Sequence, residues 1–118
     1  MNSPTFDSMS VTNLKQASGL YNNGNSGAAA TINFANGDRQ KITITAATTL
    51  TYTNALAGQI LTLILIEDGT GGYSITLPTT KWVGGLTGTF TTTANAINIL
   101  TIVFDGTNYL TALSPNFS

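Results

Sequence analysis

QILTLILIE, Gln59 to Glu67, is the most apolar run in the chain: Ile60, Leu61, Leu63, Ile64, Leu65 and Ile66, with Thr62 between them. It is far shorter than the roughly 20 apolar residues a membrane-spanning helix needs. Its isoleucines are β-branched, and the turn signal Asp68-Gly69-Thr70-Gly71-Gly72 follows directly, so the run reads as a strand and not as a buried helix. A strand with one wet face alternates apolar and polar residues, and this one barely does. Both of its faces are therefore expected to be covered, one by the core and the other by something else, such as another copy of the chain.

Outward from this run the period is two. On its N-terminal side Ala30, Ile32 and Phe34 alternate with Thr31 and Asn33, Ile42 and Ile44 with Lys41, Thr43 and Thr45, and Leu50 and Tyr52 with Thr49, Thr51 and Thr53. Asn36-Gly37-Asp38 and Asn54 to Gly58 supply the turns between them. On its C-terminal side Tyr73, Ile75 and Leu77 alternate with Ser74 and Thr76, and Pro78 ends that strand because it cannot donate to a ladder. Thr79 to Gly88 is the longest irregular stretch and carries the only Trp, Trp82. A short strand is expected at Thr89 to Thr93, a second core strand at Ile97 to Phe104, and a last strand at Asn108 to Leu113 after the turn Asp105-Gly106-Thr107. The pattern predicts an all-β fold: about eight strands in an antiparallel β-sandwich or jelly roll spanning residues 28–118. LTLILIEDGTGGYSITL from Leu61 and LTIVFDGTNYLTAL from Leu100 look alike, which two hairpins with Asp-Gly turns explain without duplication.

Residues 1–27 differ. They are rich in Ser, Asn and Gly, and Asn22 to Gly27, NNGNSG, reads as a flexible connector. Isolated apolar anchors precede or join it: Phe6, Met9, Val11, Leu14, Leu20 and Tyr21. This composition predicts an extended N-terminal arm that lies on a neighbouring subunit, the alternative being a disordered tail. Removing Met1 to Gly27 is expected to leave a folded domain.

The 118 residues suffice for one domain. With no Cys and no His, disulfides, Cys or His zinc sites and Ser-His or Cys-His nucleophile pairs are excluded. Charged residues make up 8% of the chain, against a typical ~25%, and the net charge is -1. Thr, suited to an exposed sheet face, fills the gap, and so uncharged a surface fits a protein packed among neighbours. Lys15, Arg39, Lys41 and Lys81 are scattered, so no basic patch for nucleic acid exists. The first residues lack the basic and apolar regions of a signal peptide, and no apolar run is long enough to cross a bilayer as a helix; the expectation is a protein made in a cytoplasm that stays there, or leaves by lysis or inside an assembled particle.

No catalytic, metal or cofactor constellation emerges. Glu67 and Asp68 are adjacent and point apart on a strand, unlike the paired carboxylates of a glycosidase. Asp68 and Asp105 open DGT turns, where their side chains are expected to cap their own backbone. Trp82, with Tyr73 and Lys81 nearby in sequence, is a candidate contact to a glycan or a subunit; the alternative is that Trp82 closes the end of the sandwich.

An ordered set of motifs resembles a module of bacteriophage structural proteins: TINFANGDRQKITIT at Thr31, AGQ at Ala57, EDGTGG at Glu67, SITLPTTKWVGG at Ser74, TTTANAINILTIVFDGTNYL at Thr91 and the closing NFS. The module is similar to a small virion β-sandwich found at the C-terminus of tail-fibre proteins and in small head proteins. The resemblance implies a virion component and a homotrimer, and carries no catalytic residues. Because the module starts 27 residues after Met1, without a long shaft, the expected role is a capsid decoration (cement) protein on the capsid surface. In that role the arm residues Phe6, Met9, Val11, Leu14, Leu20 and Tyr21 contact the major capsid protein. The runner-up is a tail-fibre or head-fibre tip that binds host surface glycan through Trp82 and Tyr73.

Overall fold

The computed structural model describes residues 19–118. Nine strands are found among them: β1 (Tyr21–Asn25), β2 (Ala29–Asn33), β3 (Arg39–Ile44), β4 (Thr48–Thr53), β5 (Ile60–Glu67), β6 (Ile75–Thr76), β7 (Lys81–Trp82), β8 (Ile97–Phe104) and β9 (Tyr109–Phe117). Short 3₁₀ turns occupy Phe34–Asn36 and Val83–Gly85, and the described residues are otherwise strands, turns and loops. The all-β expectation holds.

The pairing differs from the expected antiparallel sandwich. The strands form a six-stranded sheet in the order β1-β3-β5-β8-β9-β7 and a three-stranded sheet in the order β2-β4-β6. Successive strands from β1 to β6 alternate between the two sheets, and each lies parallel to the strand two before it: β3 beside β1, β4 beside β2, β5 beside β3 and β6 beside β4. The chain is wound as a coil, because parallel neighbours need a crossover and here a strand in the opposite sheet provides it. Antiparallel pairing begins only at β8, which runs back along β5, and continues with β9 against β8. The sheets are therefore mixed. An Asn-Gly or Asp-Gly turn reverses or redirects the chain according to what the following strand packs on, which local sequence does not encode.

Three other local expectations also change. NNGNSG is an edge strand and not a connector: Tyr21 and Asn22 pair with Gln40 and Lys41, and Asn23 Nδ2 donates to Gln40 Oε1 at 3.0 Å. Thr89 to Thr93 is irregular, held by Asn98 instead of by a ladder: Thr91 N donates to Asn98 Oδ1 and Asn98 Nδ2 donates back to Thr91 O. The two look-alike stretches also diverge, since β6 crosses to the other sheet whereas β9 folds back on β8.

Between the sheets lies a single core. Ile32, Phe34 and Leu50 come from the β2–β4 side, and Ile42, Ile44, Leu61, Leu63, Leu65, Leu100 and Ile102 from the larger sheet. In β5 the apolar run still alternates in burial: Leu61, Leu63 and Leu65 are fully buried, while Ile64 and Ile66 are half-exposed and Ile60 is 55% exposed. Tyr52 packs edge-on to Phe34 and Tyr109 at one end of this core, with ring centroids 5.4 and 4.9 Å away. Burial pushes the Tyr52 phenol well above its ordinary pKa.

Gly71 shows why the DGTGG turn needs glycine. Its φ is +69°, and a Cβ there would lie 2.7 Å from Ala94 Cα. The turn and the loop before β8 are packed backbone to backbone, with Asn95 N donating to Asp68 O at 2.9 Å.

Candidate functional site

Leu77 to Thr80 links β6 to β7, and Pro78, Thr79 and Thr80 form the wall between two clefts. Thr80 fixes it: its hydroxyl donates to Tyr109 O at 2.9 Å and pairs with the Thr111 hydroxyl. Lys81 and Trp82 then run parallel to β9 beside Leu110 and Thr111. Alternation points Lys81 outward and Trp82 inward.

One cleft, about 390 Å³, is lined by Ile75, Thr76, Leu77, Trp82, Thr87 and Phe90, with Pro78, Thr79 and Thr80 as its rim. The other, about 440 Å³, lies across that rim and is lined by Lys81, Thr107, Asn108 and Tyr109. Their walls combine aromatic rings with hydroxyls, an amide and an ammonium, and no carboxylate lines either one. Apolar faces edged by a few neutral hydrogen-bonding groups suit a polyhydroxylated ligand better than a strongly charged one.

The sequence-derived candidates are placed as follows. Trp82 is half-buried and packs against the core, and a Cβ on Gly88 would meet its ring at 2.8 Å. It therefore closes the end of the core while also forming a wall of the first cleft. Tyr73 lines neither cleft; it packs on the core, and its N–H donates to Glu67 Oε1 at 3.0 Å. Lys81 is exposed at the rim of the second cleft. Leu20 and Tyr21 are exposed, at 48% and 42%, Tyr21 on the edge strand β1. Phe6, Met9, Val11 and Leu14 lie outside the described residues. Sequence reading missed Thr80, Phe90, Asn108 and Tyr109; only Asn108 and Tyr109 carried a signal, their place directly after a DGT turn.

The acids in this region shape turns. Asp68 Oδ1 accepts from Thr70 and Gly71 N–H, and Asp105 Oδ1 from Thr107 and Asn108 N–H, as expected of Asx turns. The Asn108 and Thr107 N–H groups hold the Asp105 carboxyl below its ordinary pKa. Asp38 accepts from Gln59 Nε2 at 2.8 Å, which ties the AGQ turn to the turn before β3. Among the described residues no three of His, Cys, Asp and Glu come together as metal ligands.

Residues 5–109 match the protein family described as "Putative phage tail fibre C-terminal domain". The chain belongs to this phage tail-fibre domain family. The match begins upstream of Ala28, where the motif resemblance started, and so takes in β1 with the rest of the wound sheet. No curated protein and no solved structure matches the chain. As a tail-fibre C-terminal domain it is a structural component of the phage virion, and the clefts beside Pro78–Lys81 belong to that domain.

Proposed function

We propose that this domain is the receptor-contacting tip of a phage tail fibre, and that the clefts flanking Pro78 to Lys81 take a saccharide of the host surface. The match to tail-fibre C-terminal domains carries the reading. The pairing of Trp82 and Phe90 with Thr hydroxyls on one side, and of Tyr109 with Asn108 on the other, supports a sugar as the ligand. A fibre sets several copies of its tip side by side, three being the number implied by the resemblance, and repetition multiplies weak sugar contacts.

Thr79 and Lys81 are exposed on the rim and outside the core, so changing them spares the fold. Fluorescent protein carrying Thr79→Ala and Lys81→Ala is expected to bind host cells at least tenfold more weakly than the parent, with an unchanged melting temperature. Equal binding overturns the cleft assignment. The decoration role, with its capsid-clamping arm, is the competing reading; antibody labelling of whole particles that marks heads and spares tails establishes it over the fibre tip.

A further inference from the structure

Four pairs in the chain set glycine directly after an acid or its amide: Asn23-Gly24, Asn36-Gly37, Asp68-Gly69 and Asp105-Gly106. In such a pair the glycine nitrogen lies within reach of the preceding side-chain carbonyl carbon, and no Cβ on the glycine stands in the way. Whether the two meet depends on what holds them apart. The fold restrains three of the pairs. Asn23 Nδ2 donates to Gln40 Oε1 at 3.0 Å and to Lys41 O at 3.1 Å, and Gly24 N donates to Asn22 Oδ1 at 2.9 Å. Asp68 and Asp105 each accept two backbone N–H groups on one carboxylate oxygen, and an ionised carboxylate is a poor electrophile. Asn36 is different. It is exposed and ends the 3₁₀ turn Phe34–Asn36 between β2 and β3. Neighbouring side chains pin that turn: Asn33 Oδ1 accepts from Ala35 N–H, and Gln40 Nε2 donates to Gly37 O. The Asn36 side chain has no hydrogen-bond partner among the described residues. Gly37 N donates to Phe34 O at 3.3 Å, beyond the usual range of about 2.7–3.2 Å. The φ of Gly37, +138°, keeps glycine at this position.

We infer that Asn36 is a self-modification site, where the folded chain converts its own asparagine to aspartate and isoaspartate. Gly37 N gives its proton to solvent hydroxide and attacks Asn36 Cγ. The new C–N bond closes a succinimide ring, the Cγ–Nδ2 bond breaks, and ammonia leaves. Water then opens the ring at one of its two carbonyls. Opening on the backbone side leaves the main chain running through the former side chain, as isoaspartate; opening at Cγ leaves aspartate. Water is the only co-reactant. Either product adds one negative charge, two residues before Asp38, to a chain of net charge -1. Isoaspartate also lengthens the main chain by a methylene in the turn that seats Phe34 in the core and offers Gly37 O to Gln40. The site lies apart from the clefts and does not depend on the receptor reading.

The full chain tests this by incubation in mildly alkaline buffer, folded and in concentrated urea, followed by peptide mapping with tandem mass spectrometry. Electron-transfer fragmentation separates isoaspartate from aspartate. In the folded protein Asn36 is expected to convert at least about tenfold faster than Asn23, whose amide and following N–H are both hydrogen-bonded. In urea those bonds are gone, and the two Asn-Gly pairs are expected to convert at similar rates. Asn36→Gln is expected to abolish the modification in the turn, because the longer side chain closes its ring far more slowly. Asn23 converting as fast as Asn36 in the folded protein overturns the inference. So does an Asn36 that stays intact in the folded protein while it converts in urea. A preference for Asn36 that persists undiminished in urea overturns the selection by the fold, since local sequence alone then sets it.

Discussion

Glu67 is the residue whose environment departs furthest from its type. It ends the apolar run on the inner face, is 1% exposed, and one carboxylate oxygen accepts from Tyr73 N–H while Oε2 has no hydrogen-bond partner among the described residues. Burial raises its pKa above the ordinary 4.5, with the Tyr73 N–H opposing and Asp68 assisting. A carboxyl raised in this way favours folding while it is protonated, so its benefit is complete below 4.5 and disappears as pH rises through the folded value. Glu67→Gln keeps an acceptor for Tyr73 and does not titrate. The melting temperature of the parent is therefore expected to fall relative to Glu67→Gln as pH is raised above about 4.5, by a few degrees. Thermal melts across the acidic to neutral range measure it, and a difference independent of pH refutes it. The acid was visible in the sequence, but its inward orientation depended on which face of β5 meets the core.

At the scale of elements, β8 does two things. Leu100 and Ile102 fill the core, and Asn98, fully buried among them, replaces a ladder for the loop before it. Asn98→Ala leaves the Thr91 N–H and C=O without their partner beside a new void. It is expected to destabilise the protein by about 2–4 kcal/mol, and hydrogen exchange at the Thr91 amide is expected to accelerate with it. An exchange rate that stays at the parent's value shows that the loop is held by other contacts. The sequence offered a strand around Phe90 because its Thr residues are good β formers. Tertiary structure denied it a partner, and propensity without a partner does not make a strand.

At the scale of the molecule, the wound order of strands decides which parts are separable. β1 completes the edge of the larger sheet, and Asn23 satisfies the buried Gln40, whose own amide donates to Asn33 O and Gly37 O. A chain starting at Ala28 loses the Asn23 contact, exposes the β3 edge, and leaves Gln40 Oε1 without its donor. It is expected to melt several degrees below a chain starting at Gly19, as calorimetry of the two truncations can show. Equal melting temperatures make β1 dispensable to the domain.

The sequence by itself determined that this chain is made of strands, where most of them lie, and which apolar residues of β2, β3 and β4 face inward. A period of two is a property of the local pleat and needs no neighbour to express it. It also pointed to an outer face on Ile60 to Ile66 that a single chain leaves partly uncovered. Only the tertiary structure decided that Ala29 lies beside Thr49 and Arg39 beside Thr62, giving a parallel coil where hairpins were expected. It alone brought Thr80 to Tyr109 and placed Trp82 between core and cleft. Pairing depends on contacts between residues distant in the chain, and the same glycine turns permit a hairpin or a crossing between sheets.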